Sequence, residues 1–231
     1  MAYDLEEQEK IDQIKNWWQQ HGARITLGVT LGALAIIGWR VWDWYQNQRA
    51  EEAGILYSTL QRSRNPKEVR SIATELQQKY GGTTYAQLGA LVAARASFDE
   101  GDAKNAREHL AWAVRHSTGE LRDTARLRLA GVLLDEKAYD EALAELAQKP
   151  SPPFVAAYTE LKGDILLAQE KPEEARAAYR EALSLLVETA RKDAAERPET
   201  PGTPAPVIDA ETLEGPLAET LRLKLEVLGG A

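Results

Sequence analysis

The chain has 231 residues, with 28 Lys+Arg against 36 Asp+Glu, three His, no Cys and 44% apolar residues. That length holds one or two compact domains. A formal net charge of −8 argues against a nucleic-acid partner, because phosphate binding needs a basic face. The absence of Cys excludes a disulfide framework, a thiolate nucleophile and Cys-ligated zinc. One asymmetry stands out: five of the six Trp lie between Trp17 and Trp44.

Ile25 to Trp39 reads ITLGVTLGALAIIGW, an uncharged run bounded by Arg24 and Arg40. A bilayer core of about 30 Å wants about 20 apolar residues, so the run alone is short. Its flanks extend it. Arg24 and Arg40 can lay their aliphatic stems along lipid and lift their charges to the headgroups. Trp17 and Trp18 stand on one side, and Trp39, Trp42, Trp44 and Tyr45 on the other. Trp18 to Trp39 spans roughly 31 Å of helix at 1.5 Å per residue, with aromatic belts at both edges. A transmembrane anchor over 25–45 is expected, with 1–24 as the segment before it. A buried soluble helix is disfavoured by Trp clusters at both ends and none inside. Cleavage at Ala33-Leu34-Ala35 is disfavoured because the apolar run continues past it and the preceding arm is acidic. Lys10, Lys15 and Arg24 before the span, against Arg40 and Arg49 after it, point to a cytoplasmic N-terminus. Gly28 and Gly32 form a GxxxG, a face on which a second membrane helix could pack closely; the alternative is two lipid-facing glycines.

Beyond Tyr45 no second span follows. Residues 46–191 are rich in good helix formers, punctuated by Asn65-Pro66, Gly81-Gly82, Gly101-Asp102, Gly119, Pro150 to Pro153 and Lys171-Pro172. Helices of about 12 to 18 residues are expected, and no strands. Three stretches superpose, beginning at Ala86, Thr124 and Tyr158. Each is an apolar helix A, a polar turn, and a helix B opening with Ala106, Ala142 or Ala175. The spacings of 36 and 33 bracket the 34-residue tetratricopeptide period. Twelve residues earlier stand Ala94, Ala130 and Gly163, small enough for helix A to cross helix B closely. Leu110, Leu146 and Tyr179 follow each marker alanine as the large residues filling the crossing. Tyr57 to Tyr80 supplies an atypical terminal pair. The fold class is therefore all-α: a single N-terminal transmembrane helix, then a tetratricopeptide-repeat-like array of helical hairpins.

Residues 192–216 carry five Pro and few large apolar residues, as a linker would. In 217–231, Leu217, Leu221, Leu225 and Leu228 form one stripe. That helix is expected to dock on the array as a cap; the alternative is a free partner-binding helix.

No motif of nucleotide, metallopeptidase or hydrolase chemistry occurs. His109 and His116 lie two helical turns apart, too far for one metal, and read as surface residues. Neither a metal nor a cofactor is expected, and the chain reads as non-enzymatic. The concave face of such an array is the motivated binding site. Counting from the small residue at each crossing, it should hold Leu91, Arg95 and Phe98, then Leu127, Gly131 and Leu134, then Glu160, Asp164 and Leu167. That mixture favours apolar partner segments over acidic tails. Some of these leucines could equally pack between repeats.

The order of parts carries a resemblance. EEQEKIDQIKNWWQQHG, a glycine-rich span ending GWRVWDWYQNQ, and degenerate hairpins including LKGDILLAQEK at 161–171 resemble the YfgM-like ancillary subunits of the bacterial SecYEG translocon. The resemblance covers nearly the whole chain, the insert at 192–216 excepted. It implies a single-pass inner-membrane protein with a cytoplasmic N-terminus and a periplasmic repeat domain. It further implies association with SecYEG and a PpiD-like periplasmic chaperone, and assistance to unfolded secreted proteins. A membrane-tethered signalling adaptor, its array capturing a regulatory protein, is the alternative.

Overall fold

The computed structural model describes residues 2–196 and 208–229, by backbone alone at 2–14, 16, 20 and 25. Two compact units are present, Met1–Glu52 and Ala53–Ala231. Among the described residues there are helices and no strand. Helix α1 runs Ala2–Arg62 and contributes to both units. Then follow α2 (Pro66–Tyr80), α3 (Thr84–Asp99), α4 (Ala103–His116), α5 (Gly119–Asp135) and α6 (Tyr139–Leu146). A single 3₁₀ turn, Pro152–Phe154, leads into α7 (Val155–Ala168), α8 (Pro172–Ala195) and α9 (Pro216–Val227).

Helix starts follow capping chemistry. Asn65 accepts the Lys67 amide at 3.0 Å ahead of Pro66, and Asp102 accepts the Asn105 amide at 3.1 Å. Side-chain and backbone hydrogen bonds from Asn105 hold the Asp102 carboxyl below its usual value. Two helices depart from the expected length. Helix α6 has 8 residues because Pro150, Pro152 and Pro153 close in behind it. Helix α8 has 24, continuing through Lys192 to Ala195, because neither Gly nor Pro interrupts it before Pro198. The rest of the proline-rich stretch lies largely outside the described residues.

The second unit is a row of hairpins. Ala53–Arg62 and α2 pack around Leu60, Val69, Ile72, Ala73 and Leu76, joined by Ala86 and Ala93 of α3. Pairs α3/α4 and α5/α6 share a core of Leu91, Ala94, Leu110, Leu129, Ala130, Leu133 and Ala142. The third hairpin, α7/α8, packs with α9 around Leu166, Tyr179, Ala182, Leu183, Leu221 and Leu225.

The marker residues sit where the spacing puts them. Ala106, Ala142 and Ala175 are completely buried, and so is Ala130. At the third crossing a Cβ on Gly163 would lie 2.4 Å from Cε1 of Tyr179, so only glycine fits beneath that ring. The A-to-B turns are also built alike. Gly101 (φ +77°), Lys137 (φ +61°) and Glu170 (φ +62°) are left-handed at equivalent positions. Asp102, Ala138 and Lys171 donate back to Ser97, Leu133 and Leu166 carbonyls at 2.8–3.0 Å. Gly101, Lys137 and Glu170 donate to Phe98, Leu134 and Leu167 at 2.9 Å. These paired bonds are Schellman motifs, which satisfy the last carbonyls of each helix A.

Gly163→Ala should destabilise the array by roughly 1–3 kcal/mol through overpacking. Gly131→Ala, whose Cβ would meet nothing within 4 Å, should be neutral or stabilising by up to about 1 kcal/mol. Urea unfolding of both variants separates the two effects. Lys137→Gly and Glu170→Gly should each raise the thermal midpoint, because a non-glycine residue held left-handed costs about 1 kcal/mol. The same change at Lys104, inside α4, should lower it.

Candidate functional site

Two features carry functional geometry, one in each unit. In the first, α1 presents its apolar side chains to the outside. Leu27, Val29, Leu31, Leu34, Ile36 and Ile37 are all exposed, as are Trp39, Trp42 and Trp44. None of its most apolar 18-residue window is buried by protein. A bare apolar surface of this length does not persist in water. It suits lipid, and this is the one helix among the described residues long and apolar enough to cross a membrane. Thr26 and Thr30 donate to the Gly22 and Thr26 carbonyls at 2.7 Å, so their hydroxyls are satisfied within the helix. Trp18 lies against Gly22, within 3.1 Å of a Cβ built there. The positions of a Cβ on Gly28 and Gly32 meet nothing within 4 Å, leaving that face open.

The second feature is a groove along α3. A cavity of about 470 Å³ between α3 and α5 is lined by Leu91, Ala94, Arg95 and Phe98 from α3 and Leu110 from α4. From α5 come Arg128, Gly131, Val132, Leu134 and Asp135. A neighbouring cavity of about 600 Å³ shares Leu91, Arg95 and Arg128 and reaches Leu60, Arg64 and Val69. Leu91 is buried and forms the floor, whereas Phe98 stands 40% exposed on the rim. Arg95 is turned along its own helix, its Nε 2.9 Å from Asp99. The result is an apolar trough edged by charges of both signs.

Of the expected groove residues, the structure brings Leu91, Arg95, Phe98, Gly131 and Leu134 to one cavity. Leu127 is half-buried on α5 and lies outside that cavity, and Leu167 is exposed on α7. Arg128, Val132 and Asp135 were missed by a register of one residue. A trough between neighbouring A helices is lined by the forward flank of one and the rear flank of the next. On α3 the stripe is 91, 94, 95 and 98; on α5 it is 128, 131, 132 and 135. Both follow the i, i+3, i+4, i+7 pattern of one helical face.

Glu160 and Asp164 occupy the forward flank of α7, and there α9 covers them. Lys224 of α9 pairs with Asp164 at 2.6 and 2.8 Å and also with Glu160. The Tyr179 hydroxyl donates to Asp164 at 2.7 Å, and the Lys224 ammonium lies 5.3 Å from the Tyr179 ring centre. Burial raises the Glu160 carboxyl above its ordinary value despite the neighbouring lysine. Burial also works against the Lys224 ammonium, but the hydrogen bonds it donates to Asp164 and Glu160 outweigh that and raise its pKa.

His109 is not a surface residue. It is buried, bonded to Gln77 Nε2 at 2.9 Å, and burial lowers its pKa. Its side chain completes the α2–α4 contact, which the lone sequence signal of a His seven residues from another could not show. His116 is exposed, stacks on Trp112 at 4.1 Å, and bonds through Nδ1 to the Trp112 carbonyl at 2.9 Å. Among the described residues no cluster of His, Asp and Glu could hold a metal.

A family model for a tetratricopeptide repeat-like domain matches residues 15–196. The ancillary SecYEG translocon subunit of Neisseria gonorrhoeae is 35% identical over 191 residues, covering 79% of this chain and 90% of that protein. The chain belongs to the ancillary SecYEG translocon subunit family. The subunit of that name in Haemophilus influenzae is 31% identical over 185 residues, covering 79% of this chain and 91% of its own. That of Escherichia coli is 28% identical over 175 residues, covering 75% and 85%. In this family member the repeat-domain match ends at residue 196, so α9 lies outside the matched span.

The groove geometry makes a stability prediction that separates floor from rim. Leu91→Ala should cost about 2–5 kcal/mol, as truncation of a buried leucine does. Phe98→Ala should cost less than about 1 kcal/mol, since much of its ring already faces solvent. Chemical denaturation of the two variants checks this and licenses Phe98 as a probe of binding.

Proposed function

We propose that the chain is a non-enzymatic, membrane-anchored scaffold of the SecYEG translocon, with a cytoplasmic N-terminus and a periplasmic repeat array. In this reading it works with a PpiD-like periplasmic chaperone, and its trough holds apolar segments of unfolded secreted proteins as they leave the channel. The observation that carries the reading is the pairing, in one family member, of a bare apolar helix with an apolar trough. The helix would keep the array at the membrane, where emerging chains are concentrated. The trough would offer them Leu91, Phe98 and Leu134. Tethering raises the effective concentration of weak sites, so a shallow trough would suffice there. The names of the relatives motivate the translocon as the place of action. The basic residues before the span motivate the orientation.

One experiment tests both parts. A photo-crosslinking amino acid replaces Phe98 in the full chain, and protease is added to intact spheroplasts. The array should be digested from outside. Before digestion, residue 98 should crosslink to a secretory chain stalled in the channel, at several-fold higher yield than a crosslinker at exposed Lys149 on the array. Full protection of the array until lysis would place it in the cytoplasm and favour the signalling adaptor. Digestion without crosslinks above the Lys149 level would keep the topology and remove the trough from the proposal.

A further inference from the structure

Helix α9 covers a face made by α7 and α8. Helix α9 stands to α7 as α5 stands to α3, in the place of a fourth helix A. Its buried contacts are Ala218, Leu221 and Leu225, with Leu217 and Leu228 at the margin. At 12 residues it is too short to be a stable helix alone. A plain end cap turns a polar outer face to water. The outward face of α9 is mixed, with Leu223 62% and Val227 85% exposed beside exposed Glu219, Thr220 and Glu226.

The polar half of the contact is specific. Glu160 and Asp164 lie one helical turn apart on α7, partly withdrawn from water, and a single ammonium answers both. At the equivalent positions the earlier hairpins carry Leu91 and Arg95, then Leu127 and Gly131. Only this face therefore presents paired carboxylates to whatever helix lies on it. A wholly apolar helix would leave two desolvated like charges side by side, and an acidic one would be repelled.

We propose that the α7–α8 face is a receiving site for an amphipathic helix of another protein, one carrying a lysine immediately before an apolar anchor. Helix α9 fills that site in cis with Leu221, Lys224 and Leu225 and is displaced when the partner helix binds. In sequence 19 residues, 197–215, separate Glu196 at the end of α8 from Pro216 at the start of α9, and a tether of that length adds little closure cost over a shorter one. Other bonds also release in the exchange, among them Arg176 to the Leu228 carbonyl. The Arg191 bond to the Ile208 carbonyl, 2.8 Å, lies within that tether and releases as well if α9 moves farther than residues 209–215 can reach.

The test uses the full chain in detergent and a fluorescent peptide of residues 212–229. Lys224→Glu should speed amide exchange across α9 while the α2–α8 array keeps its circular dichroism. The same chain should bind the peptide at least ten-fold more tightly than the wild type, whose own helix competes. A peptide with the same Lys→Glu change should bind at least ten-fold more weakly. Adding Glu160→Lys to the Lys224→Glu chain should restore slow exchange and lower peptide binding. Should Lys224→Glu disturb the array, Lys224→Gln provides the same comparison without introducing a negative charge. The proposal is overturned if α9 stays protected in the charge-reversed chain, or if both peptides bind alike. Concentration-dependent dimers that the peptide dissolves would make a second copy the occupant and overturn the assignment to another protein.

Discussion

The array depends on how closely helix A can approach helix B. At each crossing one helix must offer almost no side chain, so that the backbone of the other can come near. Ala94, Ala130 and Gly163 do this from the A side, and Ala106, Ala142 and Ala175 from the B side. Because those positions are filled by backbone and methyl groups, the larger side chains next to them interlock across the pair. Tyr179 over Gly163 is the extreme case, where the ring rests on a position that even a methyl group would obstruct. Each hairpin then presents a fixed pair of flanks to its neighbours, and the trough along α3 is a product of that repetition.

Much of this was legible in the residues. Small residues recurring at constant distances gave the crossings, since nothing but close approach requires an alanine or glycine at those places. The anchor was legible from its charge-free run and its two aromatic borders. The lining of the trough was legible only in part. Periodicity identifies a face of a helix but not the rotation that decides which flank meets which neighbour. Leu127 and Arg128 are adjacent in sequence, yet Arg128 lines the cavity. Glu160 and Asp164 lie beneath α9 rather than in an open groove, and no spacing rule ties Lys224 to residues some sixty positions earlier. His109 was misread for a related reason: its partner, Gln77, belongs to another hairpin, and an isolated histidine carries no sign of it.

The two units solve opposite solvation problems. The span leaves its apolar side chains outward and satisfies its hydroxyls within its own backbone, so it is stable only where water is excluded. The array turns its apolar side chains inward and leaves Arg, Lys and Glu outside. Ion pairs such as Arg107 with Glu141 and Arg126 with Glu145 link neighbouring helices at its surface. The exposed one, Arg107 with Glu141, contributes little to stability.

The three left-handed turns bear on how such a chain can change in length. From each crossing residue of helix A to the marker alanine of helix B the count is the same, and the turn within it is held by the same two backbone bonds. A residue inserted there would rotate helix B by about 100° and turn its buried stripe to water. The links from one hairpin to the next are under no such rule: two residues join α4 to α5, a proline-rich 3₁₀ turn joins α6 to α7, and a long stretch precedes α9. Extra sequence, whether an evolutionary insertion or a fused reporter, is therefore accommodated between hairpins and rejected inside them.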